Sequence, residues 1–155
     1  KKGIIESTVE LFHSFGVKEP KVACMCAVEE VNPKMPETVE AAALKEMNQR
    51  GEITGCIVEG PISFDLSMIS GTSQVKKYSS PVAGDADIIL APQIAAGNML
   101  IKSLYTFGEA VMGGVVLGGM CPVSMTSRDS SVEGRMSSLL LSCSILNGEK
   151  TAGSR

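Results

Sequence analysis

A serine and an arginine stand together at Thr126-Ser127-Arg128, where a predicted strand leads into a predicted helix. Ligands of open α/β sheets bind beyond the carboxyl ends of the strands. A helix N-terminus offers unpaired backbone amides and the positive end of a dipole, and arginine offers a forked cation that matches phosphate. The segment therefore suits an anion site, although an ordinary surface loop before a capped helix would contain the same residue types.

Asn98 and Lys102 are the polar residues of an otherwise apolar run from Gln93 to Phe107. Because they are one helical turn apart, a helix would point both side chains the same way. A lysine buried on such a helix is costly unless it is paired or faces a polar cleft. The spacing favours a cleft lined by both residues. The alternative is that the Lys102 stem covers apolar neighbours while its ammonium group reaches solvent.

Two carboxylates accompany these residues. Asp65 is the last residue of the segment EGPISFD, which begins at Glu59. Its side chain could cap a short helix or line the same cleft. Glu133 lies three residues after Ser130, which is the spacing of a capping box at the start of the last helix. Capping alone would account for both carboxylates.

The elements that must position these residues alternate between helix and strand. Apolar spacing predicts the following order: a helix ended by Gly16, a strand from Lys21 to Val28, a helix from Pro36 to Gly51, a strand from Ile53 to Val58 and a strand from Asp87 to Ala91. This order is typical of a parallel sheet covered by helices on both faces, and so of an α/β fold in three layers.

The C-terminal part is predicted from the same patterns. The run from Gln93 to Phe107 is apolar almost all the way round, so we expect a buried helix. Two strands are expected, from Val111 to Leu117 and from Pro122 to Thr126, and then a helix from Ser131 to Leu146. The expected core face of that last helix consists of Val132, Met136, Leu139, Leu140 and Cys143.

Composition limits the possible functions. Of the 155 residues, 44% are hydrophobic and 20% are charged, which favours a folded domain over disorder. A net charge of −3 argues against nucleic acid as a partner. The longest apolar stretch, from Val111 to Val123, is interrupted by glycines and is shorter than the roughly 20 residues of a membrane span. We therefore expect a soluble protein whose partners are small molecules or other protein chains.

The cysteines predict no metal site. There are five, an odd number without a C-x-x-C pair, and the chain has one histidine. This pattern favours reduced thiols in a cytoplasmic protein, with the cysteines acting mainly as small buried apolar side chains.

Four segments, in order along the chain, carry a family resemblance: KVACMCAVEEVNPKMPETVEAAALKEMNQRG, EGPISFD, SPVAGDADIILAPQIAAGNMLIKSL and PVSMTSRDSSVE. Together they strongly resemble the phosphate acetyl/butyryl transferases, and the NPKMPETVEA and SPVAGDAD segments are most similar to the butyryl branch. The resemblance implies reversible transfer of a butyryl or similar short acyl group between coenzyme A and inorganic phosphate. It also implies two domains of the isocitrate/isopropylmalate dehydrogenase type with the active site between them, a homodimer, no metal, no permanently bound cofactor and no covalent acyl-enzyme.

The resemblance also assigns residues. Ser127 and Arg128 match the serine-arginine pair of the coenzyme A and phosphate site, and Asn98 and Lys102 match the helix at the cleft. A carboxylate near the start of the last helix is the expected base for the thiol. In the acetyl branch it would align with Gly134, so this chain departs from the family pattern. Asp129 and Glu133 are the neighbouring acids, and we assign the role to Glu133, with Asp65 as a further substrate-binding residue.

Family members are about twice as long as this chain, which matches their C-terminal half. We therefore expect residues 1–108 to form the second domain and residues 109–155 to complete a first domain whose N-terminal part is absent.

Three alternatives stay open. One is a catalytically silent domain that senses acyl-CoA. Another is a structural half that pairs with a separately encoded half. The third, ranked last, is a decarboxylating dehydrogenase, whose acidic metal ligands would have to come from Asp65, Asp85 and Asp87.

Overall fold

Three parallel strands form the sheet at the centre of the N-terminal part of the chain. The computed structural model describes the backbone of residues 1–152 and the side chains of residues 1–146. Strand β1 (Lys21–Met25) lies between β2 (Ile57–Ile62) and β3 (Ile88–Leu90) and runs parallel to both. The predicted α/β class with a mostly parallel sheet is confirmed.

Six helices and a small second sheet complete the described chain. They are α1 (Lys2–Ser14), α2 (Pro36–Gln49), α3 (Phe64–Met68), α4 (Thr72–Lys76), α5 (Ile94–Phe107), β4 (Val115–Val116), β5 (Val123–Ser124) and α6 (Val132–Ala152). The last helix thus extends beyond its predicted end at Leu146, and residues 153–155 lie outside the described part.

Two compact units result. The first unit contains Lys1–Val9 and Lys18–Gly97, and the second contains Glu10–Val17 and the chain from Asn98 onward. Helices α1 and α5 each begin in the first unit and end in the second.

The strand predicted to begin at Ile53 begins instead at Ile57. The side chain of Asn48, near the end of α2, explains the shift. Its amide nitrogen donates to the carbonyl oxygens of Ile53 at 3.0 Å and Cys56 at 2.9 Å, and its amide oxygen accepts from the Val58 backbone at 3.1 Å. These bonds hold the intervening residues in a turn, so pairing with β1 starts four residues later than the apolar pattern indicates.

Helix α2 packs closely on the sheet at Gly60. A Cβ atom placed there would lie 2.7 Å from the Cβ of Cys24 and 3.1 Å from the Cβ of Ala41. Both distances are shorter than ordinary van der Waals contact, so a side chain at position 60 would require Cys24 on the neighbouring strand and Ala41 on the helix to shift. The close approach explains why β2 carries a glycine where a strand residue usually has a side chain.

The core of the first unit lies between the sheet and α3. One cluster of this core consists of the fully buried residues Ala23, Ile62, Leu66 and Val82. Tyr78 packs against this cluster, and burial is the main cause that raises the pKa of its phenol. The cluster joins three distant stretches of sequence, so it stabilises α3 as well as the sheet.

One carboxylate is buried beside this core. Glu59 on β2 is 5% exposed, and its Oε1 accepts from Lys45 Nζ at 2.5 Å and from the Gly60 backbone at 3.0 Å. Because both partners lie within the first unit and satisfy the carboxylate, Glu59 is a structural residue that ties α2 to β2.

The second unit contains an antiparallel pair of short strands, β4 and β5, in place of the two longer strands predicted. Helix α6 packs on them through its small residues: Gly134 and Ser138 are buried, and Ser138 Oγ accepts from the Gly114 backbone at 2.9 Å. Ser142, one turn further, is buried as well.

The predicted core face of α6 is therefore wrong. Its large apolar side chains are exposed by half or more at Val132, Met136, Leu139 and Leu140. The hydrogen bond from the Gly114 backbone to Ser138 requires the helix to lie close to the strands. The helix face with glycine and serine permits this approach, so that face, and not the face with large apolar side chains, contacts β4 and β5.

Helix α5 is also exposed, contrary to prediction: none of its residues is buried, and Ile94, Met99 and Phe107 are 90%, 72% and 87% exposed. The rule that an apolar helix is buried assumes that neighbouring elements surround it. The part of the chain that the structure describes leaves the sides of α5 open.

The cysteines divide into two groups. Cys24, Cys26 and Cys56 are buried as predicted, whereas Cys121 and Cys143 are exposed, and all five are free thiols. Over the described residues, no helix has the length and apolar character needed to cross a membrane, and no His, Cys, Asp and Glu side chains form a group of three or more that could hold a metal ion.

Candidate functional site

Ser127 and Arg128 lie in the loop between β5 and α6, as the sequence predicts. The Ser130 amide donates to the Ser127 carbonyl at 3.1 Å, which makes the loop a tight turn. The Ser131 hydroxyl accepts from the Gly134 amide at 3.1 Å and so caps the helix. The predicted capping residue, Ser130, is therefore wrong by one position, because α6 begins at Val132.

The hydroxyl of Ser127 contacts two other polar side chains in the second unit. Lys102 Nζ, from α5, lies 3.5 Å from Ser127 Oγ. The Ser127 hydroxyl in turn donates a hydrogen bond to Asp129 Oδ1. The structure thus brings together Lys102 and Ser127, which the sequence predicted as site residues from positions 25 apart. Asp129 completes the group, which we call the Ser127 triad.

Electrostatics keep Asp129 charged. The hydrogen bond from the Ser127 hydroxyl is the largest cause that lowers the pKa of Asp129, followed by a bond from its own backbone amide and the charge of Lys102. A carboxylate whose pKa is lowered is ionised at neutral pH and can only accept hydrogen bonds. The proton shared by Ser127 and Asp129 therefore resides on the serine.

Arg128 and Asn98 flank the triad in sequence and are exposed. Among the carboxylates that the structure describes, none forms an ion pair with Arg128. Asn98 lies one helical turn before Lys102 on α5. An exposed guanidinium without a carboxylate partner retains its five donors for an incoming anion.

Glu133 stands in the first turn of α6 with its side chain exposed. It forms no hydrogen bond or ion pair with another described residue, so it does not complete the capping box. The neighbouring Gly134 is buried, and a Cβ there would lie 3.2 Å from the Met112 carbonyl oxygen. A carboxylate at position 134 would require the chain at Met112 to shift.

Asp65 lies in the first unit, in the first turn of α3, within a separate network. Lys76 Nζ lies 3.0 Å from Asp65 Oδ2, 2.7 Å from Glu29 Oε1 and 3.0 Å from Ser63 Oγ. Ser63 also bonds to Glu29. Asp65 therefore has a cation of its own in Lys76.

Sequence reasoning missed Glu29, Ser63 and Lys76 in this network. Hydrogen bonds from Lys76 and then Ser63 lower the pKa of Glu29, and bonds from Ser63 and then Lys76 lower the pKa of Asp65. The same two carboxylates, Glu29 first, raise the pKa of Lys76. The one sequence feature that could have indicated this network is the polar stretch after Ile69, which forms α4 and contains Lys76.

Replacing Lys76 by methionine is expected to lower the Tm by no more than a few degrees near pH 7, because the charged side chains of the network, Lys76, Glu29 and Asp65, are solvent-accessible. Both carboxyl pKa values are lowered on folding, so their contribution is present above the ordinary carboxyl pKa of about 4 and is lost as the pH falls through the lowered values. The difference in Tm between Lys76→Met and the parent should therefore vanish at low pH.

The measurement is thermal unfolding followed by circular dichroism across the acid range. Lys77→Met is the matched control, since it removes a neighbouring lysine that forms none of these bonds. A Tm difference for Lys76→Met that persists unchanged in acid would show that the network's charges do not stabilise the fold.

Burial raises the pKa of each of the three buried thiols, Cys24, Cys26 and Cys56. Cys24 lines a small hollow together with Lys1, Glu37 and Ala91. Burial is the main cause that raises the pKa of the Cys24 thiol to about 12. A thiol with that pKa is almost wholly protonated at neutral pH and is a poor nucleophile.

Known proteins resemble this chain over most of its length. The sequence profile of the family described as phosphate acetyl/butaryl transferase matches residues 1–143. The probable phosphate butyryltransferase of Bacillus subtilis is 46% identical over 138 residues, which is 89% of this chain and 46% of that protein. The phosphate butyryltransferase of Clostridium acetobutylicum is 42% identical over 141 residues, or 91% of this chain and 47% of that protein.

A solved structure agrees with these matches. The branched-chain phosphotransacylase of Enterococcus faecalis V583 superposes with a TM-score of 0.85 at 37% identity, covering 94% of this chain and 52% of that one. The chain thus spans about half the length of the relatives it matches. With the profile matched over residues 1–143 and the four resembling segments inside that span, the chain belongs to the phosphate acetyl/butaryl transferase family.

Proposed function

We propose that this chain is part of a phosphate acyltransferase that moves a butyryl or similar short acyl group reversibly between coenzyme A and inorganic phosphate. The observation that carries the proposal is the Ser127 triad next to an exposed Arg128 that pairs with no described carboxylate, in a chain of this family. Two cations beside a hydroxyl suit substrates that carry phosphate groups. The relatives are named as enzymes, so the silent acyl-CoA sensor is not favoured.

The proposed chemistry is direct transfer. A phosphate oxygen or the coenzyme A thiolate attacks the acyl carbonyl carbon, and the bond from that carbon to the leaving sulfur or phosphate oxygen breaks. Arg128 and Lys102 hold phosphate oxygens and stabilise negative charge as it develops. Asn98 offers an amide at the same helix face. Holding both substrates in position supplies much of the rate acceleration. The proposed step requires no resident metal or cofactor.

The remainder of the family fold is part of the proposal. Residues 1–108 would form the second domain of a three-layer fold of the isocitrate/isopropylmalate dehydrogenase type, and residues 109–155 would complete the first. An N-terminal half would then cover the exposed apolar sides of α5 and α6 and the open edges of β4 and β5. The complete enzyme is proposed to be a cytoplasmic homodimer, with Asp65 contributing to substrate binding.

The test is a thiol-release assay on the complete protein with butyryl-CoA or acetyl-CoA, in the presence and absence of phosphate. We expect release that requires phosphate and saturates with it, because phosphate is the acyl acceptor. No phosphate-dependent release from either substrate would contradict the proposal. Release that does not depend on phosphate would indicate hydrolysis and would contradict it as well.

A further inference from the structure

We infer that Asp129 is a positioning residue for the proposed reaction: its carboxylate takes the hydroxyl proton of Ser127, so that Ser127 Oγ becomes the acceptor for the thiol proton of coenzyme A. The inference rests on the proposed function. It assigns to Asp129 the part that the family resemblance led us to expect of Glu133.

The geometry of the Ser127 hydroxyl supports this assignment. A serine hydroxyl has one proton to donate and two lone pairs to accept with. The proton is donated to Asp129 Oδ1, and Lys102 Nζ approaches the same oxygen at 3.5 Å. With its proton committed, Ser127 can offer an incoming ligand only an acceptor. The S–H group of a thiol is a donor, so it matches the free lone pair.

The contacts at positions 133 and 134 are less favourable for a carboxylate that takes the proton. Glu133 is exposed and forms no hydrogen bond or ion pair with another described residue. Position 134 has no side chain, and the nearby Met112 carbonyl leaves little room for one. Asp129 is the carboxylate that contacts Ser127 directly.

The proton balance of the step is complete. In the direction that consumes acyl phosphate, the thiol passes its proton to Ser127 Oγ while the serine proton moves to Asp129. The thiolate sulfur attacks the acyl carbonyl carbon, and the bond from that carbon to the phosphate oxygen breaks. The proton then returns from Asp129 through Ser127 to the departing phosphate. The products are acyl-CoA and inorganic phosphate, and Asp129 ends ionised as it began.

The experiment measures steady-state kinetics of the complete protein for Asp129→Asn, Ser127→Ala and the double variant. Asparagine fits the same space but cannot take up the proton. We expect Asp129→Asn to lower kcat by about 10²-fold or more, the range of a lost proton-transfer partner, while KM for coenzyme A changes little. Because Asp129 acts through Ser127, the double variant should be no slower than Ser127→Ala alone.

Glu10→Gln is the control for loss of an exposed acid in the second unit, and its kcat should stay within about twofold of the parent. Circular dichroism melts of every variant check that the fold is retained. If the parent is active and Asp129→Asn has a kcat near that of the parent, the inference is overturned while the proposed function stands. Additive losses in the double variant, or a larger loss in Glu133→Gln than in Asp129→Asn, would have the same meaning. A parent that transfers no acyl group to phosphate would overturn the proposed function and the inference with it.

Discussion

Replacing Arg128 by alanine is expected to lower kcat/KM for phosphate-dependent acyl transfer by about 10²–10³-fold, the loss typical of removing one donor to developing negative charge. Arg128 is exposed beside Ser127 and is unpaired among the described carboxylates, so its donors are available to a phosphate group. Arg128→Lys should recover part of the activity, since lysine keeps the charge but lacks the planar fork that binds two oxygens.

Arg135→Ala is the matched control for Arg128. Arg135 is an exposed arginine on α6, in the same unit. Initial rates over a range of phosphate and acyl-CoA concentrations separate binding from turnover. We expect the Arg135 variant to remain within about twofold of the parent. Equal losses at Arg128 and Arg135 would point to a general effect of positive charge, and would remove Arg128 from the proposed site.

The Leu66→Ala substitution is expected to lower the free energy of unfolding by about 2–5 kcal/mol, the range for truncating a fully buried leucine. Leu66 is 0% exposed and packs in the cluster with Ala23, Ile62 and Val82. The cost has two parts, lost burial of apolar surface and a cavity between α3 and the sheet that rigid neighbours fill only partly.

Urea unfolding of the parent and variants measures this cost. Met68→Ala is the control on the same helix, because Met68 is 45% exposed and should cost less than about 1 kcal/mol. We expect the midpoint for Leu66→Ala to fall with little change in the slope. Similar midpoints for the two variants would mean that α3 does not contribute to the core as described.

Regular elements of the first unit were largely predictable, because local signals and tertiary packing agree there. Strand β1 begins at the predicted Lys21 and helix α2 begins at the predicted Pro36. The start of β2 was not predictable from its apolar run. It depends on three hydrogen bonds of the Asn48 side chain, two donated and one accepted, and neither residue propensity nor apolar spacing predicts them.

The faces of α5 and α6 illustrate a different limit. Apolar spacing shows which face of a helix avoids water, but not whether the partner lies within the described chain. On α6 the small residues Gly134 and Ser138 meet β4 and β5, while large apolar residues such as Leu140 stay exposed. A pattern search that scored small residues as possible close-packing positions would have marked this face.

The candidate site was predictable in part. Residue types and spacing singled out Ser127, Arg128 and Lys102, and the structure places Lys102 beside Ser127. The contact from Ser127 to Asp129 depends on the tight turn between β5 and α6, which the sequence did not reveal. The ion pair between Lys76 and Asp65 was not predicted, because Lys76 lies on a short helix that the sequence pattern did not indicate.

Transfer of acyl groups from coenzyme A to phosphate is tested most directly by the amount of acyl phosphate formed per thiol released. The complete protein is incubated with butyryl-CoA and phosphate, and acyl phosphate is trapped with hydroxylamine while free thiol is counted. We predict one acyl phosphate for each thiol. Thiol release without acyl phosphate would contradict transfer to phosphate, because the acyl group would then have passed to water.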